Sequence, residues 1–144
     1  MKLKIKRIDK DLPLPKRHSD QAAAFDLYSR EDLTIEPGEV GYAPLNLIIQ
    51  TPEDHFFFIA PRGGLHKKGL MLANGVGVGD PDFFGEDDEY HAPLLNFSKN
   101  KVEIKRGDRL VQGMFIKTTD WDWVEVDSVE EKSRGKFGST GQAI

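Results

Sequence analysis

The sequence predicts an all-β domain, a sandwich or barrel of short strands. Short segments alternate apolar and polar residues, and turn-forming Pro, Gly, Asn and Asp recur between them. The chain has 144 residues, one domain's worth, with no internal repeat.

Each element follows in order. Lys2-Leu3-Lys4-Ile5-Lys6-Arg7-Ile8 alternates strictly and reads as a strand, and Leu12-Pro13-Leu14-Pro15 is extended. The alanines of Ala22–Ser29 favour a helix, but the segment is short and the Leu33–Glu36 run follows closely, so it reads as a strand. Pro37-Gly38 is a turn. Gly41–Gln50 and His55–Ala60 are strands separated by Thr51-Pro52-Glu53-Asp54, the second rich in β-prone phenylalanine. Leu65–Leu70 holds one short helical turn. Val76–Val78 and Tyr90–Phe97 are strands flanking an acidic turn. Val102–Ile104, Leu110–Lys117 and Trp121–Val126 complete the set, with Arg106-Gly107-Asp108 as a turn. From Glu130 the chain turns polar and glycine-rich. The expected division is a β domain over 1–132 and a mobile arm over 133–144.

Composition narrows the function. A net charge of −4 gives no basic field for nucleic acid, so a phosphorylated ligand would need local cations and amides. With no cysteine there is no disulfide, thiolate nucleophile or Cys-ligated zinc. No apolar run near Met1 suits a signal peptide or a membrane span, and the cytoplasm, of a cell or of a virus's host, is the expected compartment.

Four segments can carry chemistry. Ser133-Arg134-Gly135-Lys136-Phe137-Gly138-Ser139-Thr140-Gly141 offers glycine amides, two cations and hydroxyls for phosphate, and one aromatic for a base; by composition it is as readily a solvated tail. Asn74–Glu86 holds Asp80 just past a strand, where a carboxylate can activate water; Asp, Pro and Gly are equally the residues of a hairpin turn. Glu86-Asp87-Asp88-Glu89 could hold a metal through oxygen ligands or be a solvated loop. In Pro61-Arg62-Gly63-Gly64-Leu65, Arg62 either meets phosphate or sits on a turn. His18, His55, His66 and His91 show no metal-ligand spacing and read as incidental.

In their order these segments resemble the five motifs of the trimeric dUTPase family: Ala23–Ser29, Pro61–Leu65, Asn74–Glu86, Gly107–Gln112 and Arg134–Gly141. The resemblance implies a jelly-roll-like subunit and a homotrimer with three shared sites, each closed by a flexible C-terminal arm of another subunit. It implies hydrolysis of dUTP to dUMP and pyrophosphate with Mg²⁺. Asp80 matches the carboxylate that activates the attacking water. Asn74 and the Gly77-Val78-Gly79 backbone match the hairpin that reads uracil, and Phe83 the aromatic under the deoxyribose. Arg62, Gly63, Gly64, Gln112, Arg134, Gly138, Ser139 and Thr140 match phosphate contacts, and Phe137 the aromatic that covers the base. Asp26 matches the acid that bonds waters of the substrate-held Mg²⁺.

The chain departs from the family's usual pattern. Gly63 stands for a serine, Gly79 for a β-branched residue, Phe83 for a tyrosine and Phe84 for a polar residue. The Gly85–Asn96 segment is longer by about the acidic run, and the fifth motif is shorter, with Lys136 where glycine is common. Two rival readings stand beside dUTP hydrolysis: a dCTP deaminase or bifunctional deaminase–diphosphatase of the same fold, and a non-catalytic regulatory relative.

Overall fold

The computed structural model describes residues 2–138, 140 and 141. The strands are β1 (Ile5–Arg7), β2 (Phe25–Tyr28), β3 (Leu33–Ile35), β4 (Val40–Pro44), β5 (Leu47–Ile49), β6 (His55–Pro61), β7 (Leu70–Leu72), β8 (Gly77–Gly79), β9 (His91–Asn96), β10 (Val102–Ile104) and β11 (Arg109–Lys117). A four-stranded sheet runs β2-β11-β6-β8 and a three-stranded one β4-β9-β7; β1 pairs with β5 and β3 with β10. Every pairing is antiparallel.

Alternation sets the layers. Phe57 and Ile59 on β6 point inward, as do Ala92 and Leu94 on β9, and these faces share one core with Leu27, Leu70 and Leu110. The result is a jelly-roll-like all-β domain. At its centre Phe57 packs where Gly113 on β11 leaves room, since a Cβ there would overlap the ring. The one helical element among the described residues is the 3₁₀ turn Leu65–Lys68, ended by Gly69 at φ 77°. No helix among them is long and apolar enough to cross a membrane.

Most predicted strands form, Phe25–Tyr28 among them despite its alanines. Gly41–Gln50 is not continuous. It breaks between β4 and β5, where Asn46 adopts φ 69° and its side chain bonds both backbone groups of Asp9. β7 was not anticipated, because Gly69 and the turn at Asn74 leave only a three-residue strand. Trp121–Val126 forms no strand. From Thr118 onward the described residues are all exposed, Trp121 by 67%, Trp123 by 86% and Val124 by 83%. Alternation there finds no neighbouring strand among the described residues to accept its hydrogen bonds.

Candidate functional site

The structure gathers the motif residues into two separate groups. The first lies across β2, β11 and the end of β6. Cross-strand register sets Asp26 opposite Gln112, and Gln112 opposite Ala60. Arg62, two residues beyond Ala60, turns back over this row. Asp26, 7% exposed, receives Arg62 Nε at 2.8 Å on one oxygen and Arg109 Nη1 at 3.2 Å on the other. His18 Nε2 lies 2.9 Å from Asp26 Oδ2 and 2.9 Å from Arg109 Nη1. Gln112 donates its amide to the Pro61 carbonyl at 3.0 Å. Two guanidiniums against one carboxylate leave local positive charge for an anion. Gly63 and Gly64 are exposed, and a side chain at either would meet nothing within 4 Å, so space does not explain why Gly63 lacks the serine hydroxyl.

Arg109 and His18 were not anticipated as part of this group. Arg109 and Gln112 are three apart, which in a regular strand puts them on opposite faces. The register slips between Arg109 and Val111, and this bulge returns Arg109 to the face of Asp26. His18 is therefore not incidental. It arrives from an irregular segment, which no periodicity could have aligned with Asp26.

The second group surrounds a cavity of about 350 Å³ between β8 and the body of the domain. Asn74, Gly77, Val78, Gly79, Asp80 and Phe83 line it, as the motif order anticipated, together with Ile59, Glu89, Tyr90 and His91. Asp80 is exposed and its carboxylate makes no hydrogen bond or ion pair with any described residue, so it is free to meet a ligand or a water. Phe83 is propped on Tyr90, ring centroids 5.0 Å apart. His91, also read as incidental, edges this cavity and holds the Glu89 carbonyl through Nδ1 at 2.9 Å.

The acidic run is anchored. Glu86 pairs with Lys6, Asp88 accepts the Gly85 amide, and Glu89 takes a bidentate grip from Arg30 while accepting the Asn46 amide. Arg30's pKa is raised, chiefly by that hydrogen bond to Glu89. These contacts pin the loop after Phe83, and no three His, Cys, Asp or Glu among the described residues cluster to hold a metal.

The two groups stand apart. Asp26 is level with Ala60, and Gly79 with Phe57. Three interstrand steps of about 4.8 Å and four residues of about 3.3 Å along the strands put Asp26 and Asp80 roughly 20 Å apart in one chain. On the arm, Phe137 is fully exposed and Arg134 makes no ion pair among the described residues; Gly138 and Thr140 are also exposed, and Ser139 lies outside the described residues.

An all-β domain with a guanidinium–carboxylate cluster and, apart from it, a cleft edged by a free carboxylate is suited to a charged ligand with two unlike ends. The comparisons identify the class. The dUTPase family model matches residues 10–141. Deoxyuridine 5'-triphosphate nucleotidohydrolase of Dictyoglomus turgidum is 38% identical over 144 residues, covering 95% of this chain and 96% of that protein. The Methylocella silvestris protein of the same name is 39% identical, covering 92% and 86%. Among solved structures, dUTPase from Streptococcus mutans aligns with a TM-score of 0.75 at 28% identity, over 83% of this chain and 98% of that one. A dUTPase of Staphylococcus bacteriophage 80alpha with dUpNHpp has a TM-score of 0.84 at 20% identity, over 97% and 98%, a likeness of fold. The chain belongs to the dUTPase family.

Proposed function

We propose that the chain hydrolyses dUTP to dUMP and pyrophosphate, in sites shared between the subunits of a homotrimer in the cytoplasm. The observation that carries this reading is the split of the motif residues. A free carboxylate beside a nucleoside-sized cleft and an anion-binding cluster are both present, yet roughly 20 Å apart, far beyond the span of a triphosphate. A second copy that brings its Asp26, Arg62 and Gln112 to this chain's Asp80 makes one complete site. The exposed apolar residues Trp121, Trp123, Val124 and Val126 support the same reading, since a neighbouring subunit would cover them.

In such a site the Gly77–Gly79 backbone and Asn74 hold uracil, and Phe83 floors the deoxyribose. Arg62, Gln112 and the amides at Gly63 and Gly64 hold the phosphates. Asp80 accepts a proton from water as the water oxygen bonds to phosphorus. The bond between the first and second phosphates breaks, and pyrophosphate leaves. Arg134, Phe137, Gly138, Ser139 and Thr140 come from the arm of a further subunit and exclude bulk water.

Asp26, already engaged by two guanidiniums, suits hydrogen bonds to the waters of a phosphate-held Mg²⁺ better than direct ligation. When bound, that ion would neutralise charge on the phosphates. The test is pyrophosphate release from dUTP with Mg²⁺, beside dCTP with ammonia detection. Release from dUTP alone supports the reading; ammonia from dCTP, or no turnover of either, overturns it.

A further inference from the structure

His18 stands outside the five motifs, on the irregular segment between β1 and β2, just ahead of a turn in which the Ala22 amide bonds the Ser19 carbonyl. Its ring is nearly half exposed, and its Nε2 lies 2.9 Å from Asp26 Oδ2 and 2.9 Å from Arg109 Nη1. One ring nitrogen cannot serve both. A carboxylate only accepts and a guanidinium only donates, so Nε2 bonds Asp26 when it carries a proton and Arg109 when it does not. Either way, one of the two contacts sets like against like.

The surroundings decide which partner gives way. Asp26 is buried and fixed by Arg62 on its other oxygen. Arg62 is itself committed, with Nε on Asp26 at 2.8 Å and Nη1 on the Arg109 carbonyl at 3.4 Å. Arg109 is the loose member. Its side chain is 40% exposed and reaches Asp26 through Nη1 alone, at a longer 3.2 Å. Its Nε and Nη2 make no hydrogen bond with any described residue. With the Nε2 proton on Asp26, the oxygen that Arg109 uses is already served, and a donor faces Arg109 across 2.9 Å. Turning outward relieves that contact and points a planar fork of donors at an anion.

We propose that His18 is a positioning residue for phosphate binding: its Nε2–H holds Asp26 and keeps the Arg109 guanidinium free to grip the outer phosphates of the nucleotide. This rests on the nucleotide reading above. Without that donor, Arg109 settles on Asp26, and the ligand must break an ion pair before it can be held.

The experiment is calorimetric titration with dUMP and with the non-hydrolysable dUpNHpp, without divalent metal, so that only the protein's own cations meet the phosphates. Wild type is compared with His18→Leu, which removes the donor, and with His18→Gln, which keeps an amide donor at similar reach. His18→Leu should bind dUpNHpp about tenfold more weakly, the worth of one charge-assisted contact. Its dUMP affinity should hold, since dUMP lacks the outer phosphates, and His18→Gln should recover most of the loss. In an Arg109→Gln background, His18→Leu should cost nothing further. Unchanged dUpNHpp affinity in His18→Leu would overturn the proposal. So would an equal loss for both ligands, or a loss that persists without Arg109, since His18 would then act on the fold alone. A wild type that binds neither nucleotide would overturn the parent reading, and this one with it.

Discussion

The proposed sharing of each site between subunits makes a quantitative prediction for mixed oligomers. Asp80→Asn keeps shape and removes the base, which should lower turnover by about 10²–10⁴. Arg62→Gln removes a charge-assisted phosphate contact and should lower it by about ten- to hundredfold. The two positions belong to groups too far apart to serve one ligand within a chain. Each complete site then draws Asp80 from one subunit and Arg62 from its neighbour. A mixed trimer holds two subunits of one variant and one of the other, and going round the ring only one of its three sites takes both wild-type residues. Co-expressing the two variants under different tags and isolating doubly tagged protein, which leaves out both homotrimers, should thus restore about a third of wild-type turnover, above either parent. The assay is initial-rate pyrophosphate release at saturating dUTP. Activity equal to the mean of the two parents would mean that each chain carries its own site, and the split-site reasoning would fail.

Other consequences are more local. Truncation after Lys132 should leave a folded oligomer, by sedimentation, with greatly reduced turnover at saturating dUTP; dissociation would make the arm structural. Asn46→Ala strands both Asp9 backbone groups and forces alanine into φ 69°, so it should cost about 2–4 kcal/mol in denaturant unfolding, with Asn46→Gly less severe. Hydrogen bonds from Arg106 and Lys6 lower the pKa values of Asp9 and Glu86 respectively. Their stabilising effect is complete above the unfolded-state values and fades as pH falls through the depressed folded ones. Urea midpoints should therefore drop between about pH 5 and pH 3, and less steeply in Asp9→Asn.

The elements that proved legible in the sequence are those where alternation coincides with a buried face, such as His55–Ala60 and Leu110–Lys117. Asn46 was not, because its turn depends on bonds to Asp9, 37 positions away. Trp121–Val126 shows the opposite failure, since alternation specifies a strand only where a partner strand exists. At the site, the order of the motifs was readable, but the juxtaposition of Asp26 with Gln112 exists only through the β2–β11 register. The acidic run was ambiguous for the same reason. Its partners, Lys6 and Arg30, lie 80 and 59 positions away, and without them four acids in a row read equally as a metal site or a solvated loop.

The departures from the usual family pattern around Asp80 form one connected set. Phe25 stacks on Phe57 at 5.8 Å, Phe57 meets Tyr90 at 5.0 Å, and Tyr90 meets Phe83 at 5.0 Å. This aromatic file begins beside Asp26 on β2 and ends at the floor of the cleft. It fits only because two glycines flank it: Gly113 makes room for Phe57 and Gly79 for Tyr90. A glycine before Asp80 would by itself loosen the hairpin, since glycine loses more backbone entropy on ordering than any other residue. Here the phenol of Tyr90 fills the vacated volume and supports Gly79 from below, while Glu89 next to it is clamped by Arg30. The hairpin's rigidity thus comes from the core beneath it and not from a β-branched side chain within it. Reverting Gly79 alone toward the usual family residue would break this packing, and only a change made together with a smaller residue at position 90 could be neutral.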